Sequence, residues 1–176
     1  MSALLSVLLL SAMQNAAIDC DALHDEQRDP AMRLNYQAFD QTPGSGFRVL
    51  AEAGCARQAG DLIEEYMATH GAEQNSLSWH LAQLRGEAGQ TEEAIIAARS
   101  TLKPDEAPTE AFRWNAHVRA YLAFLLHDRT AFDAALAELL DHVQDHQGNA
   151  INAGFWRKLE PHFDEGYAAA VRLGMR

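Results

Sequence analysis

Three stretches of the chain repeat one arrangement of apolar and polar positions. They are FRVLAEAGCARQAGDLIEEYM from Phe47, AQLRGEAGQTEEAIIAARSTL from Ala82 and LAFLLHDRTAFDAALAELLDH from Leu122. Each is an apolar helical run, a break, and a second helical run. The breaks fall at Gly54, Gly89 and Arg129, and an alanine stands five residues beyond each, at Ala59, Ala94 and Ala134. These alanines are 35 and 40 residues apart. Two helices joined by a tight turn must approach closely, and alanine allows this without the entropy loss of glycine. A glycine at the turn can adopt positive φ and end the first helix. The pattern predicts two or three antiparallel helical hairpins, the first being the most degenerate, which bury their apolar faces by stacking.

The periodicity within each unit agrees. Ala94, Ala97, Ala98, Thr101 and Leu102 fall on one helix face, and Trp114, Val118, Tyr121, Leu122 and Leu125 make a similar stripe. Pro104 should stop the first of these helices. Pro43-Gly44-Ser45-Gly46 and Gly71 punctuate the first unit, and Gly148-Asn149 closes the third. From Ile151 to Arg176, Phe155, Leu159, Phe163, Tyr167 and Val171 recur every four residues, which predicts a capping helix broken or kinked at Pro161. Residues 19–42, with Leu34, Tyr36 and Phe39 apolar, should supply a helix or cap at the other end.

The run from Trp79 through Pro104 resembles a tetratricopeptide repeat. The residues carrying the resemblance are Trp79, the Leu81-Ala82 pair, Gly89, Ala94 and Pro104. The aromatic is displaced by one position, the proline arrives two residues early, and the third unit lacks the turn glycine. The resemblance extends over roughly residues 44–146. It implies an all-α fold, a right-handed stack of helix pairs with a concave, ligand-facing side, and no enzymatic activity. The inward positions it implies are Trp79, Gln83, Asn115 and Arg119, whose polar members could hydrogen-bond an extended peptide. Trp79 could equally be core.

Residues 1–18 contain ten apolar-rich positions from Leu4 to Met13, followed by small residues at Ala16 and Ala17. That resembles the hydrophobic and cleavage regions of a signal peptide, although no Lys or Arg precedes the run. It is too short to span a bilayer, which takes ~20 apolar residues. The reading is export to the periplasm or medium, with 19–176 as one helical domain; the alternative is a cytoplasmic protein that keeps the segment as a buried helix. Export would place Cys20 and Cys55, the two cysteines, in an oxidising compartment that permits one disulfide. The other reading is two separate small apolar side chains.

Composition narrows the partners. Alanine and leucine dominate the apolar residues, as helices prefer. The formal net charge is −11, from 14 basic and 25 acidic residues, and no Lys/Arg cluster interrupts it. Such a field repels phosphate backbones and anionic lipid, which argues against nucleic acid and against membrane insertion of the mature chain.

One constellation suggests metal chemistry. His142-Val143-Gln144-Asp145-His146 places two histidines four apart, as two zinc ligands on one helix face require. It looks like the inverted zinc-protease motif with aspartate for glutamate. A catalytic zinc needs a third protein ligand, and none stands out. The simpler reading is histidines stabilising a helix C-terminus. His117, between Trp114 and Tyr121, reads as a packed histidine or a groove contact. Glu64-Glu65 and Glu92-Glu93 are adjacent, so they point to different faces and make no catalytic pair. The expectation is an exported, non-catalytic, cofactor-free interaction protein that binds a peptide or protein, with a metal-dependent hydrolase or metal-binding protein as the alternative.

Overall fold

The computed structural model describes residues 18–175 and is entirely helical in its regular structure. In chain order the helices are α1 (Cys20–Ala31), α2 (Tyr36–Asp40), α3 (Arg48–Glu52), α4 (Ala56–His70), α5 (Asn75–Glu87) and α6 (Thr91–Ser100). They continue as α7 (Trp114–Leu125), α8 (Arg129–Asp141), α9 (Gln147–Leu159) and α10 (Tyr167–Gly174), with a 3-10 segment (Glu160–Glu165) between the last two. The leader-like apolar segment lies outside the described residues apart from Ile18.

Three turns are built alike. Gly54, Gly89 and His127 take positive φ, at 82°, 75° and 54°. The next N–H in each case reaches back to close the preceding helix: Cys55 to the Leu50 carbonyl at 2.9 Å, Gln90 to Arg85 at 2.8 Å, Asp128 to Ala123 at 2.9 Å. The following helix then starts with matching bonds, from Ala59 to Cys55, Ala94 to Gln90 and Phe132 to Asp128.

This equivalence corrects the third unit. Its break is His127, not Arg129, and the residue in the place of Ala59 and Ala94 is Phe132. Ala134 is exposed, whereas Ala59, Ala94 and Phe132 are fully buried. Histidine tolerates the left-handed region better than most side chains, so the turn needs no glycine. From this register the inner faces follow at i, i+3, i+4 and i+7. They are Ala59, Leu62, Ile63 and Tyr66 on α4; Ala94, Ala97 and Ala98 on α6 with Thr101 just past its end; and Phe132, Ala135, Leu136 and Leu139 on α8, all buried.

The helices of each pair run antiparallel. Asn75 at the start of α5 donates to the Thr101 carbonyl past the end of α6 at 3.3 Å, while Arg85 meets Gln90 at the turn at 2.9 Å. On α7 and α8, Arg119 meets Glu138 at 2.6 Å. The pairs are joined through aromatic packing. Trp79 of α5 lies edge-on to Trp114 and Tyr121 of α7, with ring centroids 5.1 and 5.3 Å apart. The Tyr121 hydroxyl donates to the Ala82 carbonyl. Burying a large side chain of this kind contributes roughly 1.5–3 kcal/mol.

Of the two expectations at Pro161, a break or a kink, the C-terminal region shows the break. Pro161 stands in the 3-10 segment, Gly166 turns the chain at φ 79°, and α10 folds back. Ala170 is fully buried and bonds to the Gly166 carbonyl at 2.9 Å, as Ala59 and Ala94 bond to the carbonyl four residues before them. Tyr167 of α10 sits edge-on to Tyr121 at 4.8 Å. At the other end, α1 runs parallel to α4. The Cys20–Cys55 disulfide joins them, Gln58–Asp21 and Arg28–Glu65 contacts follow along their length, and the Tyr66 hydroxyl donates to the Leu34 carbonyl beyond the end of α1.

Candidate binding grooves

The four residues expected to face a ligand go to different places. Trp79 is core: it is 7% exposed and enclosed by Trp114, His117 and Tyr121. The aromatic position that could have lined a groove instead joins two helix pairs, because α7 packs directly over it. Asn115 accepts from the Lys103 N–H at 2.9 Å and donates to the Lys103 carbonyl at 2.7 Å, so its amide is consumed in pinning the loop after α6. Gln83 is half-buried on α5. Arg119 alone is exposed and lines an open groove, held there by Glu138.

That groove lies between α7 and α8. It has a volume of about 350 Å³ and is floored by Leu122, Ala123 and Ala135. Ala131 and Ala134 form its α8 wall, and Leu126, 53% exposed, stands at its turn end. The small side chains of α8 make the depression: alanine at two successive outward turns leaves room that leucine would fill. A second groove of about 320 Å³ lies between α5 and α6, with Met67 of α4 contributing. Leu81, Ala97 and Ile96 line it, and Ile96 is 71% exposed.

The two grooves use equivalent positions. Counted from the matching turns, Leu81 corresponds to Arg119, Glu93 to Ala131, Ile96 to Ala134, Ala97 to Ala135 and Ser100 to Glu138. Each pair lines its own groove. Ile96, Ala131 and Ala134 stand in the sequence, but nothing in their local spacing marks them as outward-facing. Their meaning depended on the correct turn register, which glycine counting missed in the third unit.

The histidine pair does not form the expected array. Helix α8 ends at Asp141, His142 is its C-cap, and the chain turns before His146. His142 Nδ1 faces the Asp145 carboxylate at 2.6 Å, and His146 caps α9 by accepting from the Gly148 N–H at 3.0 Å. The i, i+4 geometry of two ligands on one helix is therefore lost. Among the described residues no group of three or more His, Cys, Asp or Glu is placed to hold a metal.

His117 is packed, not groove-lining. Its Nδ1 accepts from the Trp156 indole N–H at 3.0 Å, and burial pushes its pKa down to about 3, so it stays neutral. A second buried polar cluster centres on Asp40, which is fully buried. Its carboxylate meets His80 Nδ1 at 2.6 Å and accepts from the Ser76 hydroxyl at 2.8 Å and from the Gln41 amide. Burial alone would raise this carboxyl. The hydrogen bond and charge of His80, with the Ser76 and Gln41 bonds, outweigh it and hold Asp40 below the usual carboxylate range. Ser76 donates to the acid and not to the histidine, so the group lacks the nucleophile–base contact of a hydrolytic triad. It ties α2 to α5. Its members are 36 and 40 residues apart, beyond the reach of any local motif.

The fold and grooves define an all-helical chain of successive antiparallel helix pairs with recurrent open depressions. Comparison with known protein families, characterised proteins and solved structures finds no match.

Proposed function

We propose that this chain is an exported, non-catalytic helical-repeat protein of tetratricopeptide-like organisation, and that it holds a segment of a partner protein in the grooves of α5–α6 and α7–α8. The observation that carries the reading is the recurrence of one apolar depression at equivalent positions in two consecutive helix pairs. Repeat architectures expose the same surface once per unit, so a ligand can engage several units at once. Exposed Ile96 and Leu126 give that surface apolar anchor points, of the sort that mark interaction sites. Export is supported by the leader-like run from Leu4 to Met13 and by the Cys20–Cys55 disulfide, which suits an oxidising compartment. No helix among the described residues is long and apolar enough to cross a membrane.

Photo-crosslinking residues placed at Ile96 and Ala134 test the reading in cells of the native host. One and the same protein should be captured from both positions, and not from a crosslinker at Asp164 in the 3-10 segment. No adduct, or the same adduct from all three positions, overturns it.

A further inference from the structure

We infer that the α5–α6 groove selects a segment in which an apolar side chain is followed or preceded by lysine or arginine, whereas the α7–α8 groove takes an apolar side chain alone. This rests on the groove reading above and goes on to name the chemistry of the occupant.

The two depressions share a shape but differ in charge. In the α7–α8 groove, Glu138 is matched on the spot by Arg119 at 2.6 Å and by Arg113 at 3.0 Å. Asp128 is engaged as the N-cap of α8, accepting from the Ala131 N–H at 2.9 Å. Counting Arg113, which stands next to the groove, its two arginines match its two acids in charge. The α5–α6 groove carries Glu64 and Glu93 and no basic side chain. Glu64 shares the single Arg85 guanidinium with Asp61, at 2.8 and 2.6 Å. These three groups together carry one net negative charge. Glu93 has no ion-pair partner among the described residues. Arg85 and Arg99, the arginines on these two helices, do not line the depression, and Arg85 is buried. Two acids beside Met67, Leu81, Ile96 and Ala97 are complementary to an apolar residue adjoining a cation. The overall charge of −11 steers such a segment toward the protein.

Two fluorescein-labelled twelve-residue peptides test this, one alternating leucine with lysine and its twin alternating leucine with glutamate. Binding is read by fluorescence anisotropy against the full chain, its disulfide intact. The lysine peptide should bind about tenfold more tightly, weaken as salt rises, and lose about two- to fivefold affinity in Glu93→Gln. Asp164→Asn, which removes an exposed acid elsewhere, should change nothing. Ile96→Ser, at an exposed site where the fold is not at stake, should weaken both peptides. If both peptides bind equally and both depend on Ile96, the groove stands and the cationic preference falls. Equal losses from Glu93→Gln and Asp164→Asn also overturn the preference, since the attraction is then general. If neither peptide binds, or binding is indifferent to Ile96→Ser, the groove reading falls too.

Discussion

Removing the Cys20–Cys55 bridge should cost stability in an amount set by chain entropy. The two residues are 35 apart, and for a loop of that length the chain-entropy relation gives about 3.8 kcal/mol at 25 °C. The loop encloses most of α1 together with α2 and α3. The other ties near this end are weak: Gln58–Asp21 lies on the surface and Arg28–Glu65 is half-exposed, while the apolar packing of α1 lies farther along, at Leu23 and Ala31. The bridge is thus the strongest tie between the N-terminus of α1 and the start of α4. Urea unfolding of the oxidised chain, the same chain with reductant, and the Cys20→Ala/Cys55→Ala variant measures it. With a slope of roughly 2 kcal/mol/M, the oxidised midpoint should lie about 2 M above the other two. The double variant should ignore reductant. Without the bridge, α1 should open before the rest, so its amides should become the faster to exchange, ahead of those of α5 and α7. A midpoint difference below about 0.5 M, or a double variant that still responds to reductant, would refute the entropic account.

Stability should also fall with pH through His117. The unfolded histidine binds a proton below ~6.5, while the buried one remains neutral down to about 3, so the unfolded state gains protons across that window. The loss should reach up to ~1.4 kcal/mol per pH unit, and His117→Gln, which keeps an acceptor for the Trp156 N–H, should flatten the urea-derived profile between pH 4 and 6. Gly86→Ala should destabilise by about 1–3 kcal/mol although alanine favours helices, because the new methyl would lie 2.3 Å from the Tyr121 hydroxyl and 2.9 Å from the Tyr167 ring. Thermal unfolding checks it, and an unchanged midpoint would mean α10 yields freely. Asp40→Asn should cost about 1.5–3 kcal/mol at pH 7 by weakening charge-assisted bonds. Because the folded carboxyl is depressed, this stabilisation is present above its ordinary range and vanishes as pH falls through the folded value. Variant and native chain should therefore converge in acid-titrated urea melts.

Much of the fold was legible along the chain. Helix content, the turn glycines at 54 and 89 and the close-packed Ala59 and Ala94 are local properties, encoded in spacing and propensity. What local pattern could not reveal was decided by contacts between distant residues. His127 stands where two other turns use glycine, since any residue that tolerates positive φ closes such a turn; the third register therefore slid, and exposed Ala134 stood in for buried Phe132. His142 and His146 share a helical spacing, yet the helix stops at Asp141. Whether Trp79 faces a ligand or the core depended on α7 lying over it. Asn115 looked available until the loop at Lys103 claimed its amide. The grooves belong to this second category. A sequence states which positions are small or apolar, but a depression exists only once two helices are set side by side and the third dimension leaves Ile96 and Leu126 uncovered.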